Sequence, residues 1–168
     1  MTAAPHPQAA VPLIDIQVQS PLWHAEPAAE QTVRDAIAAA ATMLSTRNGE
    51  LGIVLTDDSS VRALNRQWRG IDKPTNVLSF PVNGFIGPAM FGDIVIAYET
   101  LRKECDDEDK EFLHHLAHLT VHGFLHLVGY DHQVDAEAEA MEGLESKIMA
   151  RLKMPDPYLE RDLNPGDA

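Results

Sequence analysis

Short segments in which apolar and polar residues alternate predict the β-strands of this chain. In the first segment, at 13–19, Ile14, Ile16 and Val18 alternate with polar residues. Segments rich in Val, Ile and Leu predict three more strands, at 51–56, 76–80 and 93–97. The pattern therefore indicates a sheet of about four strands.

Five longer segments predict α-helices, at about 26–45, 59–69, 98–105, 111–128 and 135–152. In the second of them, Val61, Leu64 and Trp68 recur at helical spacing, which predicts that they form its buried stripe. Asp57 or Asp58 can cap the same helix at its N-terminus.

The order of these elements indicates an α+β fold. An alternation of strands and helices gives way to two strands close together and then to helices. This order predicts a single small mixed sheet of about four strands packed with about five helices. A chain of 168 residues fits one domain. We expect it at 13–158, with a disordered Ala- and Pro-rich arm at 1–12 and a C-terminal tail at 159–168.

The charge balance restricts the partners. The 26 acidic and 13 basic residues give a formal net charge of −13. This charge argues against general affinity for nucleic acid, and we expect no DNA partner. A local basic groove is still compatible with it, because Arg62, Arg66 and Arg69 are spaced to align on one helical face, with Lys73 following. For Arg62 and Arg66, a solvated helix face is the expected role.

Three features indicate a cytoplasmic protein without a membrane partner. Cys105 is the single cysteine, so no internal disulfide can form, which is compatible with a reducing compartment. No apolar run approaches the roughly 20 residues of a membrane span. The N-terminus lacks the basic segment and apolar core of a secretory signal.

The segment from His122 to His132 carries the clearest chemistry. His122 and His126 are four residues apart and lie on one face of a helix, one turn apart. Gly129 stands where helices end in a left-handed turn, and the turn can bring His132 to the same point. Three neutral imidazoles suit zinc. We therefore predict one Zn²⁺ per chain, held by His122, His126 and His132, with a fourth position open.

Two neighbours of these histidines leave alternatives open. Gly123 stands where zinc peptidases of the His-Glu-x-x-His pattern have the glutamate that acts as general base. Either close packing or an open groove beside the ion would account for a glycine there. Asp131 can be a fourth ligand or a residue that orients a histidine, whereas Cys105 lies far upstream. The sequence identifies no general base.

Arg69 is the candidate for substrate binding and catalysis. Its planar guanidinium can bind phosphate oxygens at two points, and it is predicted at a helix end from which it can reach a cleft. Alternatively, it only stabilises the helix dipole, by under about 1 kcal/mol. Lys73 can make a weaker phosphate contact or be simply solvated. Asn76 and Ser79 can contact substrate or satisfy the backbone at a strand edge.

Four segments resemble motifs of the YbeY family. Residues 72–81 resemble its middle motif, 92–94 its next short motif, 122–132 its defining histidine motif and 137–149 its closing helix. Together they cover most of the chain between 51 and 158, with no departure at the three histidines.

The resemblance implies a bacterial, metal-dependent endoribonuclease that cleaves single-stranded RNA, its metal usually assigned as zinc. Such an enzyme would act in ribosomal RNA maturation, notably at the 3′ end of the small-subunit RNA, and in ribosome quality control. The domain at 13–158 would be catalytic. His122, His126 and His132 would be the metal ligands, and Arg69 would match an arginine that the family needs for function.

Two other classes compete with this interpretation. A zinc metalloprotease or a related hydrolase shares the histidine pair but needs a base. A non-catalytic ribosome-assembly factor would use the metal only to hold the C-terminal turn. If the chain is a ribonuclease, an activated water or the RNA's own 2′-hydroxyl has to serve as nucleophile.

The acidic surface also predicts how such an enzyme finds RNA. With positive charge confined to one cleft, binding to free RNA should be weak and its salt dependence shallow. We expect docking on the ribosome or on small-subunit ribosomal proteins, whose basic character complements an acidic face. Single-stranded RNA is the expected substrate, because a duplex resists bending into a narrow cleft.

Overall fold

The fold is built on one four-stranded sheet. The computed structural model describes residues 11–46, 48–82 and 90–158, so most of the predicted arm and the whole predicted tail lie outside the described residues. The strands are β1 (Leu13–Val18), β2 (Glu50–Thr56), β3 (Val77–Pro81) and β4 (Met90–Ala97). Each of them overlaps a segment that the sequence predicts as a strand.

The helices also follow the predicted pattern. They are α1 (Ala29–Leu44), α2 (Asp58–Arg69), α3 (Tyr98–Glu108), α4 (Phe112–Leu127) and α5 (Asp135–Arg151). A short 3₁₀ helix, Pro21–Ala25, precedes α1 and has no counterpart in the sequence prediction. The predicted α+β class, with one mixed sheet and five α-helices in the described part of the chain, is confirmed.

The sheet is mixed because β3 runs against the other strands. The strand order is β1-β2-β4-β3. β1, β2 and β4 are parallel neighbours, and β3 pairs antiparallel with β4 at the edge. One row across the sheet consists of Ile16, Ile53, Ile94 and Ser79. The Ser79 hydroxyl at the end of this row donates a hydrogen bond to α4, to the carbonyl oxygen of Gly123 at 3.2 Å.

Helix α4 is the centre of the domain. It packs against α1, α3, α5, β3 and β4, and 11 of its 16 residues are buried. A helix covered on nearly all sides is apolar all round rather than along one stripe. Only part of α4 stays accessible, and this part includes the half-buried His118, His122 and His126, which follow one another at intervals of one turn.

Helix α2 begins as predicted, but its buried stripe is shorter than predicted. The Asp57 side chain accepts a hydrogen bond from the backbone N–H of Ser60 at 2.9 Å and caps the helix. Val61 is buried, whereas Trp68 is 65% exposed, so its predicted burial is wrong. The apolar cluster under α2 ends before the last turn of the helix, and Trp68 instead forms a T-shaped ring pair with Phe80.

None of the described helices has both the length and the apolar character needed to span a bilayer.

Candidate metal centre

Three histidines converge where α4 ends. His122 and His126 lie one turn apart, and their Nε2 atoms are 3.2 Å from each other. Gly129 follows with a φ of 104°, which is the positive backbone angle expected at this turn. The turn brings the His132 ring to centroid distances of 5.6 Å from His122 and 5.1 Å from His126. The predicted trio is therefore assembled in space.

The nitrogen atoms of the trio fit a single metal ion. One nitrogen of each ring lies within 4.8 Å of the others. Ligands at about 2.05 Å in a tetrahedron around zinc stand about 3.3 Å apart, so His122 and His126 are already at coordination distance. Burial, and next the neighbouring rings of His122 and His132, lower the pKa of His126. A lowered pKa favours the neutral ring, which is the form that binds metal.

Neither Asp131 nor Cys105 joins the trio. The Asp131 carboxylate accepts a hydrogen bond from the backbone N–H of His132 at 2.7 Å and stabilises the turn. Cys105 is buried in α3, and this burial raises the pKa of its thiol to about 11, which disfavours the thiolate that binds metal. In the described part of the chain, the cluster of metal-ligand side chains consists of the three histidines.

A buried carboxylate holds His122 in place. Glu145 on α5 is 1% exposed, and its Oε1 lies 2.6 Å from His118 Nε2 and 3.3 Å from His122 Nδ1. The hydroxyl of Tyr158 donates to the same oxygen at 2.9 Å. Burial by itself raises the pKa of Glu145, but the hydrogen bonds from His118 and His122 outweigh burial and lower this pKa to about 2.

The charge of Glu145 determines the tautomer of His122. An ionised carboxylate can only accept hydrogen bonds, so the ring proton of His122 lies on Nδ1. Its Nε2 lone pair is then available to a metal. Carboxylates that accept a hydrogen bond from a metal-binding histidine generally fix its tautomer in this way. Sequence reasoning did not identify Glu145, because nothing in a helical run of glutamates distinguishes the one that α4 buries.

We expect Glu145→Ala to weaken metal binding by about 10- to 100-fold, the usual effect of removing a carboxylate behind a ligating histidine. Competition with a chromophoric chelator measures this affinity, and circular dichroism checks the fold. Glu139→Ala, an exposed position on the same helix, is the matched control and should bind metal like the parent protein. Equal affinities in both variants would show that Glu145 does not support the metal site.

The other histidines of α4 are engaged elsewhere. His114 pairs with Glu111 at 3.4 Å, and His115 contacts Glu104 at 2.8 Å. His118 lies beside the trio, with its ring centroid 6.4 Å from that of His122, and contacts Glu145. The three side chains are outside the metal-binding cluster of the described residues.

Close packing explains the glycine at 123. Helix α4 approaches the sheet so closely that a Cβ atom at this position would stand 3.0 Å from Ile94 Cγ2 and 3.1 Å from Ser79 Oγ. Of the two explanations that the sequence left open, the structure supports packing. A glutamate side chain at 123 would be directed at the sheet.

We therefore expect Gly123→Glu to lower the free energy of unfolding by about 3–5 kcal/mol, because it buries a carboxylate without a partner. Urea denaturation measures the loss. Gly143→Glu is the control, since a Cβ at this exposed position of α5 would meet nothing within 4 Å, and it should leave stability unchanged or slightly raised. A Gly123→Glu protein as stable as the parent would contradict the packing explanation.

A cleft of about 1550 Å³ opens beside the trio. It is lined by residues from the end of α2, from β3, α3 and α4, and from the turn that carries His132. The contribution of α3 and the residue that follows it is acidic and includes Glu104, Asp107, Glu108 and Asp109. Such a lining repels phosphate, so the position of each basic side chain decides where an RNA backbone can lie.

Arg69 is the basic side chain without an ion pair in the described lining of this cleft. The other cation of that lining, Lys110, lies 3.5 Å from Glu108. Arg62, two turns earlier on α2, is exposed and forms a bidentate contact with Asp72 at 2.8 and 3.2 Å. Arg69 therefore stands at the helix end predicted for it, beside the cleft that contains the histidines.

The remaining candidates have other positions. Lys73 is exposed and is not among the residues that line the cleft. Asn76 donates to both carboxylate oxygens of Glu104, at 3.0 and 3.2 Å, and accepts from the backbone of Val77 at 2.7 Å. Ser79 is bonded to α4. Asn76 and Ser79 thus have structural partners, whereas the Lys73 side chain is exposed.

Three histidines at an open cleft, with a buried carboxylate behind one of them, are the arrangement typical of a metal-dependent hydrolase. The chain belongs to the endoribonuclease YbeY family: the family model described as Endoribonuclease YbeY matches residues 15–153. This match covers the sheet except for the first two residues of β1, and it includes the histidine trio and Glu145.

Curated relatives support the same assignment. A protein of Bradyrhizobium sp. (strain BTAi1), named Endoribonuclease YbeY, is 52% identical over 165 residues, which cover 93% of this chain and 98% of the relative. One of Rhodopseudomonas palustris (strain BisB18), with the same name, is 56% identical over 159 residues, covering 90% and 95%. The solution structure of TM1509 from Thermotoga maritima shares the fold, with a TM-score of 0.50 and 20% identity over 86% of this chain and 98% of that one.

Proposed function

We propose that this chain is a zinc-dependent endoribonuclease that cleaves single-stranded RNA. Its proposed role is the maturation of ribosomal RNA, at the 3′ end of the small-subunit RNA, together with ribosome quality control. The observation that carries the proposal is the shared cleft, which is lined both by the histidine trio and by Arg69, a cation without an ion pair among the described residues. Membership of the endoribonuclease YbeY family supports the reaction class.

Each residue of the proposed site has its own task. His122, His126 and His132 would hold the zinc ion, which supplies Lewis acidity to the phosphoryl group when bound. Arg69 binds two oxygens of the scissile phosphate through its fork and stabilises the charge that develops there. Glu145 keeps His122 in the tautomer that ligates. Lys73 would add a weaker contact to the RNA backbone outside the cleft.

The two competing classes receive less support. A metalloprotease needs a glutamate at 123, and the space of that side chain is taken by Ile94 and Ser79. A structural metal that only holds the turn would not need a cleft beside it, nor an arginine in the lining that forms no ion pair with the described residues. Both features are expected when a phosphodiester has to reach the ion.

The test is a substrate panel with purified protein, before and after removal of the metal. End-labelled single-stranded RNA, the same RNA in a duplex, and casein are incubated with each preparation. We expect cleavage of the single strand by the metal-loaded protein alone. His126→Ala protein purified in parallel controls for contaminating ribonucleases. Cleavage of casein, or RNA cleavage that survives both metal removal and His126→Ala, would contradict the proposal.

We further propose that docking on ribosomal particles or small-subunit ribosomal proteins selects the target. The exposed acidic residues of α3 and α5 support this, since they complement basic ribosomal proteins. Binding to ribosomal particles and to naked RNA is compared across a salt series. Tight binding to naked duplex RNA with a steep salt slope would refute docking as the source of selectivity. The cytoplasmic location and the absence of a DNA partner stay predictions.

A further inference from the structure

The two tryptophans of the chain have opposite environments. Trp23 is 3% exposed, and its indole N–H donates to the carbonyl oxygen of Thr56 at 2.9 Å. Trp68 is 65% exposed, which makes it one of the most exposed large apolar side chains of the described residues. Keeping an aromatic ring of this size in water forgoes the stabilisation that its burial would bring. A ligand that covers the ring would recover part of it.

The position of Trp68 connects it to the proposed site. It immediately precedes Arg69 in the last turn of α2, and both residues line the cleft that contains the histidine trio. Phe80, from β3, lines the same cleft and supports the indole, with ring centroids 6.4 Å apart and planes at 63°. Phe80 itself packs on the buried cluster of Val61, Leu78, Val95 and Ala97. The indole therefore rests on a ring that the core holds in place.

We propose that Trp68, supported by Phe80, is a stacking platform for one unpaired base of the RNA, next to the phosphate that Arg69 binds. Aromatic side chains bind successive bases of single strands by stacking, whatever the base, because every base has a π-face. A base inside a duplex already stacks on its neighbours and cannot offer that face. Trp68 is thus a specificity residue that selects single strands, and this inference rests on the proposed ribonuclease function.

The charges of the cleft favour a nucleic-acid base over a protein side chain as the occupant. Arg69, the next residue along the chain, can bind a phosphate of the RNA. The histidine trio in the same cleft can hold the metal ion that phosphodiester cleavage needs. The chain as a whole carries −13, so few phosphates can be neutralised. Stacking supplies affinity that does not depend on charge, which an acidic RNA-binding protein needs.

Fluorescence can test the contact directly, because Trp23 is shielded. Collisional quenching by acrylamide reports mainly on Trp68, and a stacked base quenches the same indole. The experiment uses full-length His126→Ala protein, in which binding is separated from cleavage. We expect a single-stranded RNA of about ten nucleotides to quench Trp68 and protect it from acrylamide. The same RNA in a duplex should do neither. Unchanged emission at saturating single strand would overturn the proposal.

Substitutions test whether the contact matters for binding. In the His126→Ala background, Trp68→Ala should weaken single-strand binding by roughly 5- to 150-fold, and Trp68→Phe should restore most of it because a smaller ring still stacks. Ile71→Ala is the matched control, since Ile71 is 43% exposed nearby and is not among the residues that line the cleft. Equal losses in the Trp68→Ala and Ile71→Ala proteins, or no loss in either, would overturn the proposal.

Salt dependence separates stacking from phosphate binding. Trp68→Ala should leave the slope of binding against salt unchanged, because no counterion is released from a stacked base. Arg69→Ala should reduce the slope by about 0.7, the value for one phosphate of a single strand. A changed slope in Trp68→Ala would overturn the stacking contact.

The failure of this inference can be distinguished from the failure of the proposed function. If the parent protein cleaves single-stranded RNA, and Trp68→Ala binds and cleaves it equally well, the platform is refuted and the function stands. If the parent protein cleaves no RNA but single strands still quench Trp68, the platform stands and the nuclease assignment is refuted.

Discussion

His126→Ala protein is expected to lose its metal ion and, with it, all metal-dependent RNA cleavage. His126 and His122 face each other with Nε2 atoms 3.2 Å apart, and His132 completes the trio. If each of three ligands carries about a third of a binding free energy of roughly 10 kcal/mol, removing one weakens binding by about 3 kcal/mol. This corresponds to at least about a 100-fold loss of affinity.

Elemental analysis after dialysis measures the metal content of the His126→Ala protein. Alanine is compatible with the helix at this position, so the fold should persist and can be checked by circular dichroism. His114→Ala is the matched control, because His114 lies on the same helix but outside the trio. It should retain the full metal content. One ion per chain in the His126→Ala protein would disprove the assignment of the ligands.

Arg69→Ala protein should keep its fold and its metal but cleave RNA about 10²- to 10³-fold more slowly. The reduction is what enzymes lose when a donor that stabilises developing negative charge is removed. Arg69 is exposed, so little packing is lost with its side chain. The loss of its interaction with the helix dipole changes stability by under about 1 kcal/mol. Single-turnover cleavage rates, thermal unfolding and metal content are measured on the same preparation.

Three further variants define the role of Arg69. Arg69→Lys keeps the positive charge but loses the planar guanidinium that contacts two phosphate oxygens at once. This variant should therefore recover only part of the cleavage rate. Arg66→Ala removes an exposed arginine of the same helix that is not among the residues lining the cleft, and should cleave normally. Lys73→Ala should reduce the rate less than Arg69→Ala does. Normal cleavage by the Arg69→Ala protein would show that Arg69 has no role in catalysis. Unfolding of this variant would show instead that Arg69 stabilises the end of α2.

The sequence predicted the features that depend on neighbours along the chain. Apolar patterns and composition located the four strands and five helices, and Asp57 caps α2 as its side chain allows. His122 and His126 could be paired because a helix places residues four apart on one face. Gly129 indicated the turn that returns His132, because a glycine adopts a positive φ without strain.

Other features of the site could not be obtained in this way. Glu145 belongs to a helix rich in glutamate, and only the packing of α5 against α4 buries it beneath His118 and His122. The helical spacing correctly placed Trp68 on the same face of α2 as Val61 and Leu64. However, the apolar cluster below that face ends before the last turn, so Trp68 is not buried.

By itself, then, the sequence determined the strands, the α-helices and the three histidines, because spacing along a helix or strand is a local property of the backbone. The order of these elements also indicated the mixed character of the sheet. The tertiary structure alone decided the strand order, the role of Gly123 and the partners of the ligands. It decided that Gly123 lets α4 lie against Ile94 and Ser79, and that Glu145 orients His122. These features depend on which side chains meet through space, and close packing of the core selects one such arrangement among many that share the same periodicity.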